Sequence, residues 1–440
     1  MISKRFVVVA VALALALGPL ASAVLAQGPS IFIPLLVYRT GPYAPSGIPN
    51  ANGFQDYFNL LNERDGGING VKIAVEECET QYDTKQGVEC YERLKSKAVL
   101  INPYSTGITY QLIPKAPGDK VVVHSMGYGM TASADGRYFP WVFNFPMTYW
   151  SQASSFVKYV GAQEGGLEKL KGKKIVHIFH NSPYGKEANP TLETLAKAHG
   201  FELTLLAVDH PGQEQKATWL QVRRINPDWI YLSGWGVMNG VAVKEAAGIG
   251  YKMDRLVGNW WSGSESDVIP AGDGAKGYKS MTFHAPGAGF KVHQDVIKHV
   301  YDKGKGAAKK EALGEVYHNR GMINAMLNAE AIRTAMAKYN LKTAPTGEQV
   351  RWGFENLDLT EAQLDKLGMK GMIRPLKVSC ENHEGNGLAA VQQWDGKQWK
   401  VVSDWIEPMR NVVRPKLEEA AVQEGGEKLK YAKRDCSKEK

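Results

Sequence analysis

Short apolar and β-branched runs alternate with longer amphipathic segments along the first 160 residues of the chain. Such short runs predict buried strands, and apolar positions spaced three and four apart predict helices. The pattern gives strands at 31–38, 71–76, 98–102 and 121–124, and helices at 52–63, 84–95 and 149–160. Because strands and helices alternate, we expect a parallel sheet with right-handed crossover connections.

A second series of the same kind begins near residue 174. Its strands are predicted at 175–180, 202–208, 229–233 and 255–258, and its helices at 186–199, 218–224 and 236–247. Two separate alternating series predict an α/β protein with two doubly wound parallel-sheet lobes. The chain is expected to pass from the first lobe to the second between residues 138 and 149.

The remaining segments are too few to form a third domain with its own sheet. They comprise an apolar run at 280–284, helices at 292–303, 319–339 and 346–357, and late strands at 388–394 and 399–406. We expect the helices to complete the first lobe, so that several crossings form a hinge. The predicted division is a signal peptide at 1–26, lobe 1 at 27–146 plus 284–373, lobe 2 at 147–283 plus 374–405, and a C-terminal tail at 406–440.

The N-terminal segment has the pattern of a secretory signal. Lys4 and Arg5 precede an unbroken apolar run at 6–17, and small residues follow through Ala26. A membrane anchor is the alternative, but the apolar run is short for a span. We expect cleavage before Gln27 and a periplasmic protein.

Composition limits the classes of function. About 410 residues remain after the leader, which is the size of two domains. The formal charge of +8 comes partly from the leader and the tail, and the other basic residues are scattered among acidic ones. This distribution is typical of a solvated surface, so no nucleic-acid partner is expected. We also expect the protein to be a monomer.

All four cysteines lie in the part predicted to be exported. An even number in an oxidising compartment predicts disulfides, and we pair Cys78 with Cys90 and Cys380 with Cys436. Zinc is the alternative, since Cys380 and His383 have a Cys-x-x-His spacing, but no second pair of ligands is nearby. No metal is therefore predicted.

Motifs for catalysis are missing from the sequence. It contains no Walker loop, dinucleotide fingerprint, His-Glu-x-x-His or Gly-x-Ser-x-Gly motif. Ser264 follows a glycine but lacks the trailing glycine of a nucleophile elbow. We therefore expect neither an enzyme nor a bound cofactor.

Several turns carry a family resemblance. They are Thr-Gly-Pro at 40–42, Asn-x-x-x-Gly-Gly-Ile-Asn-Gly-x-Lys at 62–72, Asp-Thr-Lys-Gln at 83–86, Asn-Ser-Pro-Tyr-Gly at 181–185 and Gly-Ile-Gly-Tyr at 248–251. In this order they resemble the leucine/isoleucine/valine-binding protein family, which has the type I periplasmic binding fold and serves ABC importers. The resemblance extends from about residue 31 to residue 405.

The resemblance implies a ligand held between the lobes by loops at the carboxyl ends of the strands, where open parallel sheets bind ligands in general. The loops are 42–47, 103–107, 125–129, 182–185, 233–236 and 259–263. By analogy, hydroxyls at Ser105 and Thr106 would hold a ligand carboxylate. The full set of predicted ligand-binding residues is Tyr43, Ser46, Ser105, Thr106, Gly127, Tyr128, Tyr184, Trp235, Trp260 and Tyr317.

One departure from the family alters the expected ligand. Amino-acid binders of the family carry a glutamate for the ligand ammonium, where this chain reads Asn259-Trp260-Trp261. A buried ammonium without a countercharge costs several kcal/mol. We therefore expect an aromatic or apolar carboxylate. One of Trp260 and Trp261 is expected to face the cleft and the other the core, and the sequence does not tell which.

The expected partners are the permease and ATPase subunits of an ABC importer. Two alternatives stay open. One is a branched-chain amino acid or amide ligand whose ammonium is reached by Glu265 or Asp267. The other is a ligand-sensing module of a receptor system.

Overall fold

The computed structural model describes residues 30 to 439, and the predicted signal peptide lies outside them. A first, all-parallel sheet has the strand order β2-β1-β3-β4-β5, in which a bridge between Leu35 and Asn102 joins β1 to β3. Its strands are β1 (Ile31–Val37), β2 (Ile73–Glu79), β3 (Leu100–Ile101), β4 (Val122–His124) and β5 (Val142–Phe143).

The helices between these strands are α1 (Ala44–Arg64), α2 (Thr84–Leu94), α3 (Thr106–Leu112) and α4 (Ala116–Asp119). Helix α2 begins at a capping residue, since the Asp83 carboxylate accepts a hydrogen bond from the Gln86 amide at 2.9 Å. Helix α1 begins eight residues before the predicted start at residue 52, because Pro45 lies in the first turn, where proline is compatible with a helix.

Helix α5 (Tyr149–Glu164) leads into a second sheet. Its parallel strands are β6 (Lys174–His180), β7 (Glu202–Val208), β8 (Trp229–Ser233), β9 (Leu256–Gly258) and β10 (Lys279–Thr282), and its helices are α6 (Pro183–Lys186), α7 (Asn189–His199), α8 (Lys216–Ile225), α9 (Val237–Gly248) and α10 (Glu265–Val268). Strands β6, β8, β9 and β10 are almost entirely buried, as expected for a parallel sheet covered by helices on both faces, whereas the edge strand β7 is mostly half-buried.

The last third of the described chain contributes to both lobes. Its elements are α11 (Lys291–His299), α12 (Val316–Lys338), α13 (Gly347–Glu355), β11 (Asp358–Leu359), α14 (Glu361–Lys366), β12 (Leu376–Lys377), β13 (Ala390–Trp394), β14 (Trp399–Val401) and α15 (Arg410–Ala421). Helix α12 packs on α1 so closely that a Cβ on Gly53 would lie 1.9 Å from the His318 carbonyl oxygen. Strand β13 pairs antiparallel with β10 and β14 pairs antiparallel with β13, giving the order β14-β13-β10-β9-β8-β6-β7.

Three crossing segments lie side by side between the lobes. The amide of Ala285, in the second crossing, donates to the Met372 carbonyl at 2.8 Å. In the first crossing, the Thr148 hydroxyl donates to the Glu384 carboxylate at 2.9 Å, which joins it to the third. The predicted fold class, two α/β lobes with a multi-crossover hinge, is confirmed. The exact lobe boundaries stay predictions, and the pairing of β12 with β11 favours a return to lobe 2 later than residue 374.

Both predicted disulfides are present, Cys78–Cys90 and Cys380–Cys436. Because Cys380 is oxidised, its thiolate is not available to a metal ion, and the zinc alternative is removed. The second bridge ties the C-terminal segment, including α15, to the body of the protein. Over residues 30 to 439, no helix combines the length and the hydropathy needed to cross a membrane.

Candidate functional site

A narrow, partly open cavity lies between the two sheets, with about 270 Å³ of empty space that includes its opening to solvent. Eight of its lining side chains are aromatic, and the other three are neutral and polar. The lining residues are Tyr38, Asn50, Tyr82, Tyr104, Ser105, Thr106, Tyr128, Tyr149, Tyr184, Trp235 and Trp261.

The cavity lies at the carboxyl ends of the strands of both sheets. Tyr38 directly follows β1 and Ser105 follows β3 in lobe 1, while Trp235 follows β8 in lobe 2. Five of the six predicted loops contribute a lining residue, and the loop at 42–47 does not. The geometry follows from the topology, because parallel strands bring their carboxyl ends to one edge.

Hydrogen bonds between tyrosine hydroxyls and backbone groups hold several of the rings in place. The Tyr128 hydroxyl accepts the Tyr104 amide at 2.7 Å, and the Tyr38 hydroxyl donates to the Tyr104 carbonyl at 3.1 Å. In lobe 2, the Tyr184 hydroxyl donates to the Gly234 carbonyl at 2.8 Å. The walls of the cavity are therefore held in place independently of a ligand.

Three buried polar atoms of the lining have no hydrogen-bond partner among residues 30–439. They are Asn50 Oδ1, the Tyr104 hydroxyl and Trp235 Nε1. Buried polar groups in folded proteins are nearly always paired. These atoms therefore mark positions at which a polar group of a ligand would gain a hydrogen bond.

None of the lining side chains is charged. The two carboxylates considered for an ammonium lie behind the wall and have other partners. Glu265 accepts the Val316 amide at 3.0 Å, and Asp267 accepts the Ser264 amide at 2.9 Å and the Tyr317 hydroxyl at 3.0 Å. Burial raises the pKa of Glu265 to about 7 and that of Asp267 to about 6.

Half of the predicted ligand-binding residues line the cavity: Ser105, Thr106, Tyr128, Tyr184 and Trp235. The other half lie around it without lining it: Tyr43, Ser46, Gly127, Trp260 and Tyr317. Tyr43 is behind Tyr82, with 4.5 Å between ring centroids, and the Tyr317 hydroxyl donates to the Trp261 carbonyl at 2.6 Å. These residues support the cavity wall.

The two adjacent tryptophans differ in placement, as expected, but the one at the cavity is Trp261 and not Trp260, which the predicted site included. Trp261 lines the cavity, whereas Trp260 is fully buried, 6.0 Å from the ring of Tyr149 and 5.5 Å from that of Phe283. Both indole Nε1 atoms donate to the Gly127 carbonyl, at 2.8 and 3.1 Å. One carbonyl of lobe 1 thus orients both rings of lobe 2.

Five lining residues were not singled out from the sequence: Tyr38, Asn50, Tyr82, Tyr104 and Tyr149. The sequence did contain a signal for Tyr38, Tyr82 and Tyr104, because each lies within a few residues of the carboxyl end of a strand. Asn50 and Tyr149 lie on helices, where no local pattern separates a cavity position from a core position. Their roles depend on how the lobes meet.

Two groups of polar contacts join the lobes outside the cavity, and we call them the rim. The Tyr43 hydroxyl of lobe 1 lies 2.8 Å from His180 Nε2 and 2.6 Å from His210 Nδ1 of lobe 2. In the second contact, the Glu187 carboxylate of lobe 2 accepts bonds from the hydroxyl of Tyr110 and from the amide and hydroxyl of Thr131. The described conformation is therefore closed.

Two α/β lobes, a triple crossing and a cavity at their facing edges define a bilobed solute-binding protein. A protein-family model described as a periplasmic binding protein matches residues 30–398. The chain belongs to the periplasmic binding protein family. Membership implies an extracytoplasmic location and a role in binding a solute, not in catalysis.

Relatives agree with this assignment. A Leu/Ile/Val-binding protein homolog 1 from Brucella abortus is 25% identical over 296 residues, covering 65% of this chain and 76% of the relative. A crystal structure described as an ABC transporter permease from the Pseudomonas fluorescens group is 41% identical, with a TM-score of 0.86, covering 93% of this chain and 99% of the other.

More distant solved structures share the fold. A branched-chain amino acid ABC transporter structure from Thermus thermophilus with bound valine has a TM-score of 0.74 at 19% identity, covering 88% of this chain and 100% of the other. A solute-binding protein from R. palustris in complex with 4-hydroxybenzoate has a TM-score of 0.68 at 17% identity, covering 88% and 100%.

Proposed function

We propose that this protein captures a small aromatic or apolar carboxylate outside the cytoplasm and delivers it to an ABC importer. The observation that carries the proposal is the cavity between the lobes, which has eight aromatic rings, hydroxyl groups and no charged side chain in its lining. Aromatic walls favour a flat apolar body, and each well-placed ring pair contributes about 1 kcal/mol beyond burial.

Ser105 and Thr106 are the proposed carboxylate donors. The Thr106 hydroxyl oxygen accepts the Gly129 amide at 3.2 Å, and the Ser105 oxygen accepts the Ile108 amide at 3.4 Å. Since each oxygen already accepts a bond from the backbone, each hydroxyl hydrogen is available to a ligand oxygen. Trp235 Nε1 and the Tyr104 hydroxyl add two further donors that have no partner among the described residues.

A free amino acid fits this lining less well. Its ammonium would be buried among rings and hydroxyls without a carboxylate in contact, which costs several kcal/mol. Glu265 and Asp267, the two candidates for that role, have backbone and tyrosine partners instead. Branched-chain amino acids remain the second candidate because of the valine-bound structure with the same fold, whereas the 4-hydroxybenzoate complex supports the first.

The proposed partners are a membrane permease and its ATPase subunits, with a monomeric binding protein exported by a cleaved leader. Ligand would bridge the lobes and shift an open ensemble to the closed conformation. Small-angle scattering with and without saturating ligand tests the hinge, and equal radii of gyration would count against it.

A thermal-shift screen tests the ligand class. Benzoate-like and cinnamate-like acids, leucine, valine, dicarboxylates and amides are compared at equal concentrations. A ligand that binds only the folded protein raises the melting temperature by mass action. We expect the largest shifts from aromatic acids, and a shift confined to leucine and valine would reject the proposal in favour of its alternative.

A further inference from the structure

Arg320 is a fully buried charge on helix α12, immediately behind the cavity wall. Its Nε donates to His284 Nε2 at 3.2 Å. Neither of its terminal nitrogens has a hydrogen-bond partner among residues 30–439, and no carboxylate oxygen in that range lies within 4.0 Å of the guanidinium. Such a group is exceptional, since buried charges in proteins are normally paired.

Aromatic rings surround this guanidinium. Its Cζ lies 5.0 Å from the ring centroids of Trp261 and Phe283, and 5.4 Å from that of Tyr317. Trp261 presents its ring to the cavity as well. The positive charge therefore lies against a ring that forms part of the cavity wall.

The charge on Arg320 persists at neutral pH. Burial lowers its pKa only to about 10. Its partner His284 lies with Nδ1 at 3.0 Å from the Ala285 carbonyl, which fixes the proton on Nδ1 and leaves Nε2 as the acceptor. Burial and the neighbouring guanidinium lower the pKa of His284 to about 3, so this histidine adds no second charge.

We infer that Arg320 determines the charge preference of the cavity, favouring an anionic ligand over a neutral one of the same shape and rejecting a cation. This inference rests on the proposed function and adds the residue that makes the cavity prefer an anion. Without Arg320, a cavity of eight rings and no carboxylate would be suited to a quaternary ammonium ion. With the guanidinium against Trp261, the unpaired positive charge behind the wall favours an anion instead.

Three ligands of one shape and different charge test the inference by calorimetric titration: benzoate, benzamide and phenyltrimethylammonium. For the wild-type protein we expect benzoate to bind at least about tenfold more tightly than benzamide, and the cation to bind least. The expected ratio follows from a unit charge pair several Å apart in a medium of effective dielectric constant about 20.

Variants assign the preference to this residue. Arg320→Met keeps the length of the side chain and removes its charge, and the benzoate-to-benzamide ratio should fall to near 1. Arg320→Lys keeps the charge and should retain most of the ratio. Arg333→Met on the same helix removes an arginine that already pairs with Glu330 at 3.1 Å, and it should leave the ratio unchanged.

The outcomes separate the inference from the proposed function. An unchanged ratio in Arg320→Met, with thermal unfolding showing a folded variant, overturns the inference and leaves the proposed function intact. If Arg320→Met does not fold, the wild-type series decides, and a cation that binds as tightly as benzoate overturns it. If none of the three ligands binds wild-type protein, the proposed function fails and the inference fails with it.

Discussion

The cavity and the rim both lie between the lobes, yet they differ in chemistry. The cavity is lined by neutral rings, hydroxyls and one amide, whereas the rim joins the lobes through His180, His210 and Glu187. Rings supply shape and apolar burial for a ligand. The ionisable rim contacts form only when the lobes meet, so ligand choice and closure depend on different residues.

The two rim contacts also respond to pH with opposite signs. Burial in the closed form lowers the pKa of His180 to about 3 and also lowers the pKa of His210. The histidine contact therefore stabilises the closed form fully above pH 6.5, and this stabilisation is lost as the pH falls. Burial raises the pKa of Glu187. Its contribution to closure is therefore complete below the ordinary pKa of 4.5 and is lost as pH rises through the raised value.

The largest effect on stability is expected from Trp260→Ala. This fully buried indole packs on Tyr149 and Phe283, and its removal leaves a cavity in the core. The free energy of unfolding should fall by about 3–5 kcal/mol. Denaturant titration measures it, and a loss under 1 kcal/mol would show that Trp260 is not a core residue.

Trp261→Ala should act on binding instead. Loss of its stacking face should weaken the affinity for an aromatic acid by about 2–3 kcal/mol. Calorimetric titration measures this loss, and Trp261→Phe, which keeps a smaller ring, should lose less. If Trp260→Ala reduced affinity more than Trp261→Ala, the roles given to the two rings would be reversed.

Acidification should weaken ligand binding through the histidine contact. Between pH 7.5 and pH 5, protonation of His180 and His210 in the open form should cost the closed form about 1–2 kcal/mol of affinity. His180→Gln cannot titrate and should show a smaller decline. A wild-type affinity that does not change over this range would exclude the contact as a pH-dependent part of closure.

Glu187→Gln should have the smallest effect. The amide resembles the protonated carboxyl group and can still accept from Thr131, so affinity at pH 7 should change by about 1 kcal/mol or less. The variant should lose the part of the pH dependence that strengthens binding in acid. Glu187→Ala is the control, because it removes the acceptor and should weaken binding at every pH.

Much of the fold was predictable from local pattern. Strands β7 and β8 have the predicted bounds, because each is a short apolar run with clear ends. Strand β8 is buried throughout, whereas β7 is an edge strand in which only Val208 is buried. The first turns of α1 were missed since Pro45, Gly47 and Pro49 resemble a loop. They are helical because small residues allow α1 and α12 to approach closely, which is a tertiary effect.

The site was predictable at the level of loops and less so at the level of side chains. Ser105, Thr106 and Trp235 follow strands, and the topology brings them together. Neighbours such as Trp260 and Trp261 cannot be distinguished in sequence, because Gly127 of the other lobe orients both. The role of Arg320 was also beyond local pattern, since it depends on three rings from distant segments.

Calorimetric titration of the wild-type protein with benzoate and with leucine tests the central claim most directly. A cavity of neutral rings and hydroxyls should bind the aromatic acid and give no measurable heat with leucine, whose ammonium has no carboxylate in contact. Tight binding of leucine with no heat from benzoate or other aromatic acids would contradict the account. It would show that Glu265 or Asp267 leaves its present partners to reach the ligand.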